Sequence, residues 1–580
     1  MTDTPDGWKT VLAEMLTGAR QAVWRFPVTA MALLLLALDA NASIARLAWV
    51  RDIGWHLSLG LLAAAMASLA ASLWCEARGR PAGFALIASA VAAVLAGLMV
   101  WYADQTRAYE FVILPALAGL VVIAPYLWRG SAGTFWLFAV RFVFALVLGG
   151  LALLLAAGGI SAVLLSLSYL FGLDVPDDLY GYVWATTGLF LAPLFGLGRI
   201  PQAFDEQAVA DDGRYMAVGM RALGDFVAAP LLIVYALILH AYAVKVIVSG
   251  EVPKNQIGWL VLGYGFCVFG ALLVSAPFWS VARAPMRLLL RLWPFVMPVP
   301  LALLFYAAWL RIDQYGITPE RYLLVLFGLV TSAIVLLQLI RLLRGDIRVI
   351  VTLPVLALCL ASFGPQGVVG LSIKSQAKRF FDIMAGKPLD AAGEAAAVSA
   401  LRFLSYHNGL DTVAPEGVEL VDAPRWNRYS HENLKLVAEA YGLNPDAYSD
   451  FGNRLAFYRH FQMSDALEIG GFDLVQPQVH LYDNANARRM IKLAGGEMEI
   501  VLSGGEIAVS WREQEHRFAI AETEVNRVAD APNETPPAID LQSGERRLRL
   551  IVQNANGERQ PVPKITNMTF TLLLRSSDWQ

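Results

Sequence analysis

Before Gly367 the chain is a succession of long apolar runs, and this leaves few folds open to it. Runs of about 18 residues or more occupy Phe26–Ile44, Trp55–Cys75, Ala82–Tyr102, Phe111–Trp128, Thr134–Phe171, Tyr180–Gly198, Asp225–Val248, Ile257–Ser280, Trp293–Leu310, Leu323–Ile340 and Ile347–Phe363. Each is long enough for an α-helix to cross a hydrocarbon core of about 30 Å. Lipid offers the backbone no hydrogen-bond partners, so such runs fold as helices that satisfy their own N–H and C=O groups. Charged residues are only 16% of the chain and the mean hydropathy is +0.52, whereas soluble domains carry roughly 25% charged residues. The expected fold class is a polytopic α-helical membrane bundle of about eleven spans with a C-terminal extramembrane α+β domain.

Domain boundaries follow from where the pattern changes. Residues 1–25 read as an interfacial amphipathic helix, with Trp8, Val11, Leu12, Met15, Leu16, Ala19 and Val23 on one face and a tryptophan near each end. Residues 26–366 form the transmembrane domain, 367–466 an extramembrane helical segment, and 467–580 a β-rich domain. In that last stretch EMEIVLSGGEIAVSW alternates Met498, Ile500 and Leu502 before Gly504-Gly505 with Ile507, Val509 and Trp511 after it, the pattern of a hairpin. Further strands are expected at Glu515–Ile520, Leu548–Val552 and Met568–Leu574, closing a small β-sandwich or barrel. Val28–Leu38 followed by Asp39-Ala40-Asn41-Ala42-Ser43 imitates a signal peptide, but the long amphipathic segment ahead of it argues against cleavage.

Thr134–Phe171 is nearly twice the length of a span and reads either as one long helix or as two tight ones. Loop charge decides, since short cytoplasmic loops are enriched in Lys and Arg. With one helix, alternate segments beginning at the N-terminal side hold fifteen basic residues and the opposite side seven; with two helices the counts become ten and twelve. The expected topology is therefore eleven spans, the N-terminus in the cytoplasm and the C-terminal domain outside it.

Between two apolar runs lies Arg311–Tyr322, RIDQYGITPERY. Thr318-Pro319-Glu320 reads as a helix start, with an N-cap hydroxyl, proline at the first helical position and an acid against the positive end of the dipole. Gly316 supplies the positive φ that lets the preceding helix turn. Capping does not account for Arg311, Asp313, Gln314, Tyr315 and Arg321, which make a candidate outer-face cluster. They pair internally, dock the C-terminal domain, or bind an anionic headgroup; docking of that domain on this loop is the sharpest expectation. RIDQYGITPERY with Ala308–Leu310, Pro230–Val246 (PLLIVYALILHAYAVKV), Leu260–Gly265 (LVLGYG), Asp346–Arg348, Ala361–Pro365, Lys374–Gln376 and Leu467–Val475 (LEIGGFDLV) together resemble an uncharacterised bacterial membrane family, domain of unknown function 4153. The resemblance covers most of the chain. It implies a multi-pass protein of the bacterial plasma (inner) membrane and supplies no catalytic or ligand residues.

Ionisable groups inside spans are functional candidates because an unpaired charge at the bilayer centre costs about 2.5–3.5 kcal/mol or more. His240, Arg141 and Asp39 are the candidates here, and a hydrogen-bonded structural histidine is the plainer reading of His240. The loop Gly198–Gln207 with Asp211, Asp212 and Arg214 groups acids and bases, yet without a metal-ligand spacing. No catalytic residue, metal site or cofactor is expected: HExxH, GxSxG and phosphate-loop motifs are absent, and Ser503-Gly504-Gly505 falls on a hairpin turn. His407, His431, His460 and His480 lack metal spacing. Cys75, Cys267 and Cys359 all lie in apolar runs, which excludes a disulfide scaffold in the C-terminal domain. A net charge of −3 gives no basic footprint for nucleic acid. The expected partners are the lipid bilayer and an envelope protein or lipid headgroup. The favoured function is a non-enzymatic anchor with an extracytoplasmic binding or sensing domain; a transporter or lipid-handling protein, and an enzyme acting on lipid-linked envelope material, are the alternatives.

Overall fold

The computed structural model describes residues 18–47, 55–205, 221–249, 257–338, 340, 343–421, 431–445, 447, 456–462, 469–483, 488–493, 496–512, 514–532, 535–559 and 562–579. They form two compact units, Met1–Phe381 with Leu401–Val437, and Asp382–Ala400 with Ala438–Gln580.

The first unit is helical. In chain order it holds α1 (Pro27–Ile44), α2 (His56–Ala77), α3 (Ala82–Trp101), α4 (Glu110–Ile123), α5 (Ala132–Phe171), α6 (Asp177–Thr186), α7 (Ala192–Leu197), α8 (Ala229–Ser249), α9 (Ile257–Ser275), α10 (Ala284–Val296), α11 (Pro298–Tyr315), α12 (Pro319–Leu337), α13 (Ile347–Ala361) and α14 (Val368–Met384). Seven helices among the described residues are long and apolar enough to cross a membrane, and the bent pair α10–α11 makes up to eight. Glu110–Tyr126 and Ile347–Ala361 are shorter apolar helices. Of the amphipathic segment, Trp8–Thr17 lies outside the described residues; Gly18–Arg25 is helical, burying Ala22 and exposing Trp24.

Small residues bring the bundle together. On α2 and α3, a Cβ on Gly60 would stand 3.2 Å from the Gly97 carbonyl oxygen, and one on Gly97 would meet Ala64 at 3.6 Å; such close approach is what small residues permit in lipid. Thr29 and Ser68 share a buried hydrogen bond of 2.8 Å between α1 and α2.

Among the described residues three apolar runs are interrupted by a bend or a π-helical turn, each beside a proline. The run Trp293–Leu310 is divided between α10 and α11, which bend by 41° at Met297, because Pro298 and Pro300 donate no amide proton. Tyr180–Gly198 is α6 and α7 joined by a π-helical turn, Thr187–Leu191, just ahead of Pro193. Another π-helical turn, Gly224–Ala228, precedes Pro230. By contrast α5 is one unbroken helix of 40 residues, about 60 Å long at 1.5 Å per residue. Ser131 caps it reciprocally with Thr134. Its buried residues fall mainly in the first half, whereas Leu154, Leu155, Val163 and Leu165 are exposed.

Among its described residues the second unit carries nine strands: β1 (Ala456–His460), β2 (Leu474–Tyr482), β3 (Arg489–Leu493), β4 (Gly496–Ser503), β5 (Glu506–Trp511), β6 (Gln514–Ala519), β7 (Ala538–Ser543), β8 (Arg546–Glu558) and β9 (Lys564–Leu574). They form a five-stranded sheet in the order β1-β8-β9-β2 with β7 beside β8, and a four-stranded meander β3-β4-β5-β6. Side chains of both sheets and of helix Glu522–Asp530 share one core, including Met498, Val509, Val528, Leu550 and Phe570. The expected hairpin is β4–β5, Ser503 paired with Glu506 and the turn on Gly504-Gly505, both at positive φ.

Candidate functional site

At the polar interval the helix does not end where the apolar run does. Arg311–Tyr315 is the last part of α11, and only Gly316–Thr318 is turn. Gly316 has φ 72° and Thr318 stands at the N-cap of α12 in extended conformation, although its hydroxyl makes no capping bond. The turn is held by α14 instead. The Ile317 amide donates to Ser375 Oγ at 2.9 Å, and Gln376 Nε2 donates to the carbonyls of Tyr315 and Ile317 at 2.9 and 3.1 Å. Arg321 donates to the Gly316 carbonyl at 2.7 Å.

Of the five candidate residues, Arg311, Tyr315 and Arg321 come together: both guanidinium carbons lie over the Tyr315 ring, at 5.9 and 5.3 Å. Asp313 and Gln314 are exposed. The sequence reading missed Arg379, one turn beyond Ser375 and Gln376 on α14, which donates to Gln376 Oε1. Burial holds its pKa below the ordinary arginine value, with Tyr315 opposing. The three arginines make no ion pair with a carboxylate among the described residues. A helical spacing of Ser375, Gln376 and Arg379 was the available signal.

Around the intramembrane candidates the groups turn to their neighbours. His240, half-buried on α8, uses Nδ1 on its own Ala236 carbonyl at 2.8 Å. Asp39 is buried and accepts from Ser58 Oγ at 2.5 Å, with Oδ1 unpartnered. Arg141 is exposed on α5. Asp225, 3% exposed, accepts from the Arg283 amide at 3.1 Å and lies 3.5 Å from Arg221.

A second polar network, which takes in Ile200, Pro201 and Asp205 of the loop Gly198–Gln207, joins helix ends. Arg25 binds Glu76 through two nitrogens and the carbonyls of Ile200 and Pro201 at 2.7 and 2.9 Å. Arg78 donates to Leu127, Arg129 pairs with Asp205 at 3.2 Å, and Arg348 links Asp346 to the Gly130 carbonyl. A cavity of about 630 Å³ lies among Glu76, Arg78, Arg129 and Asp205. Within Gly198–Gln207, Asp205 therefore pairs with an arginine; Glu206, Gln207, Asp211, Asp212 and Arg214 lie outside the described residues. No group of three metal-ligating side chains occurs among the described residues.

In the second unit a cleft of about 430 Å³ opens on the five-stranded sheet. His460, Asn554, Thr569 and His480 stand side by side on β1, β8, β9 and β2. His460 Nδ1 bonds Asn554 Oδ1, and His480 Nδ1 bonds Thr569 Oγ1 at 2.7 Å. Both β2 and β8 shift register beside this row, between Gln476 and Val479 and between Val552 and Asn554. Gln478 in the first bulge takes φ 53° and lines the cleft; bulges re-aim side chains in this way.

A family model described as Domain of unknown function (DUF4153) matches residues 19–379. The chain is 26% identical over 209 residues to "Uncharacterized protein PM1469" of Pasteurella multocida (strain Pm70), a match that covers 34% of this chain and 32% of the relative. The chain thus spans about a third of the length of that curated relative. No solved structure matches it.

Proposed function

The chain belongs to the DUF4153 family, matched over residues that include every candidate span, and from that premise we propose a multi-pass protein of the bacterial inner membrane that acts without catalysis, as an anchor for an extracytoplasmic binding domain. What supports this reading is that His240 and Asp225, inside the helical unit, close on adjacent backbone or side chains, that the larger polar cavity, in that unit, lies at helix ends among paired charges, and that the C-terminal unit opens a polar cleft on its sheet.

We read all eleven apolar runs as crossings: the seven long helices, the bent pair, the two shorter apolar helices and α6–α7 with its π-helical turn. The unbroken α5 favours this odd count, and with it the N-terminus lies in the cytoplasm and the C-terminal unit outside. The arginines beside Tyr315 then meet headgroups of the outer leaflet, where their forked donors suit phosphate. Reporters fused after Gln580 test the orientation. An alkaline phosphatase fusion is expected to be active and a reporter that matures only in the cytoplasm silent; the reverse pattern overturns the reading.

A further inference from the structure

The row His460, Asn554, Thr569 and His480 has a neighbour. Two residues away along each strand, and so on the same face of the sheet, Tyr458, Asn556, Asn567 and Tyr482 are paired in the same order across β1, β8, β9 and β2. The opposite face carries the core, with Phe457, Ala555, Met568 and Leu481 buried. The two rows make a platform about 14 Å wide, three strand spacings of about 4.8 Å. Its flanks are aromatic and open: Tyr458 is 70% and Tyr482 52% exposed. Its middle is amide and hydroxyl, and Asn556 Oδ1 is shielded from solvent without a hydrogen-bond partner.

Neither row contains a lysine, arginine, aspartate or glutamate. The adjacent charges, Lys564 with Glu558 and Arg549 with Asp540, are paired. A phosphate or acidic ligand would find no lysine or arginine to pair with here. An extended peptide recognised by strand addition needs a free sheet edge, and this is a face. Exposed tyrosines flanking planar amides and hydroxyls, which both donate and accept, suit a flat ligand with apolar ring faces and many neutral hydroxyls.

We propose that this platform binds a neutral oligosaccharide, its sugar rings lying on Tyr458 and Tyr482 and its hydroxyls bonding the asparagine side chains between them. The inference rests on the reading of the C-terminal unit as a binding domain and names its ligand class. The test uses the full chain in nanodiscs, free of sugar-based detergent, titrated with neutral malto-, cello- and chito-oligosaccharides. At least one series is expected to bind. Tyr458→Ala and Tyr482→Ala are each expected to weaken it about tenfold, while Tyr458→Phe and Tyr482→Phe retain it; both tyrosines are exposed, so the melting temperature reports that the variants fold. No binding by the wild type, or binding that both alanine variants retain, overturns the proposal. Binding in nanodiscs does not depend on orientation, so it can fail while the reporter fusions succeed, and the reverse.

Discussion

Replacing Gly316 by alanine would set a Cβ 2.8 Å from Gln376 Nε2 on backbone at φ 72°, and a destabilisation of about 2 kcal/mol is expected. Gln376→Ala removes the two bonds to Tyr315 and Ile317 and should cost about 1–2 kcal/mol. Both are read as a fall in melting temperature of the solubilised chain; a Gln376→Ala protein as stable as wild type would show that the clasp contributes nothing. Arg25→Ala strands the Glu76 carboxylate and two carbonyls, with an expected loss of about 2–3 kcal/mol. Because the Arg25 and Glu76 contacts are shared, adding Glu76→Ala should cost less than its effect alone. The polar character of RIDQYGITPERY and the turn at Gly316 were legible in the sequence. Their partners were not, since Ser375 and Gln376 stand 58 to 61 residues away, and no local pattern encodes which of several polar helices will reach a given turn.

Elements were legible where periodicity and burial agree. The β4–β5 hairpin alternates buried Met498, Ile500, Leu502, Ile507, Val509 and Trp511 with residues facing outward, and two glycines fix its turn. Hydropathy alone averages over Pro193, Pro230 and Pro298, so it located the apolar runs without their π-helical turns or the bend at Met297. The length of α5 was visible and its continuity followed from charge. Its outward face carries a separate expectation: nitroxide labels at Leu146 and Leu154, 59% and 61% exposed, should relax strongly with dissolved oxygen and weakly with a water-soluble nickel chelate. Dominant relaxation by the chelate would show that this face lines an aqueous space, and would favour a conduit over an anchor.

The whole molecule does not divide at one point in sequence, because Leu401–Val437 belongs with the helical unit. In that segment the Asn408 carbonyl accepts from Arg107 at 2.7 Å, Asn408 Nδ2 donates to Asp104 at 2.8 Å, and Asp411 lies 3.7 Å from Arg107. A chain ending after Met384 keeps every candidate span and loses these partners, so it should melt lower than the full chain by several degrees; equal melting would make the segment dispensable. The C-terminal unit carries a pH dependence of its own. Burial, aided by the Arg546 charge, holds the His516 imidazole below its ordinary value of 6.5. The folded unit then binds this proton less readily than the unfolded chain, so stability present above about pH 6.5 is lost as pH falls through it toward the lower folded-state value. His516→Gln should flatten that decline when strand circular dichroism is followed against temperature at several pH values. The clasp on the turn has one more consequence, for inheritance. Gln376 reads backbone carbonyls and is indifferent to which side chains stand at 315 and 317, but its amide occupies the space that any side chain at 316 would need. Gln376 can therefore change alone at the cost of its two bonds, whereas Gly316 is held by its φ of 72° whatever stands at 376.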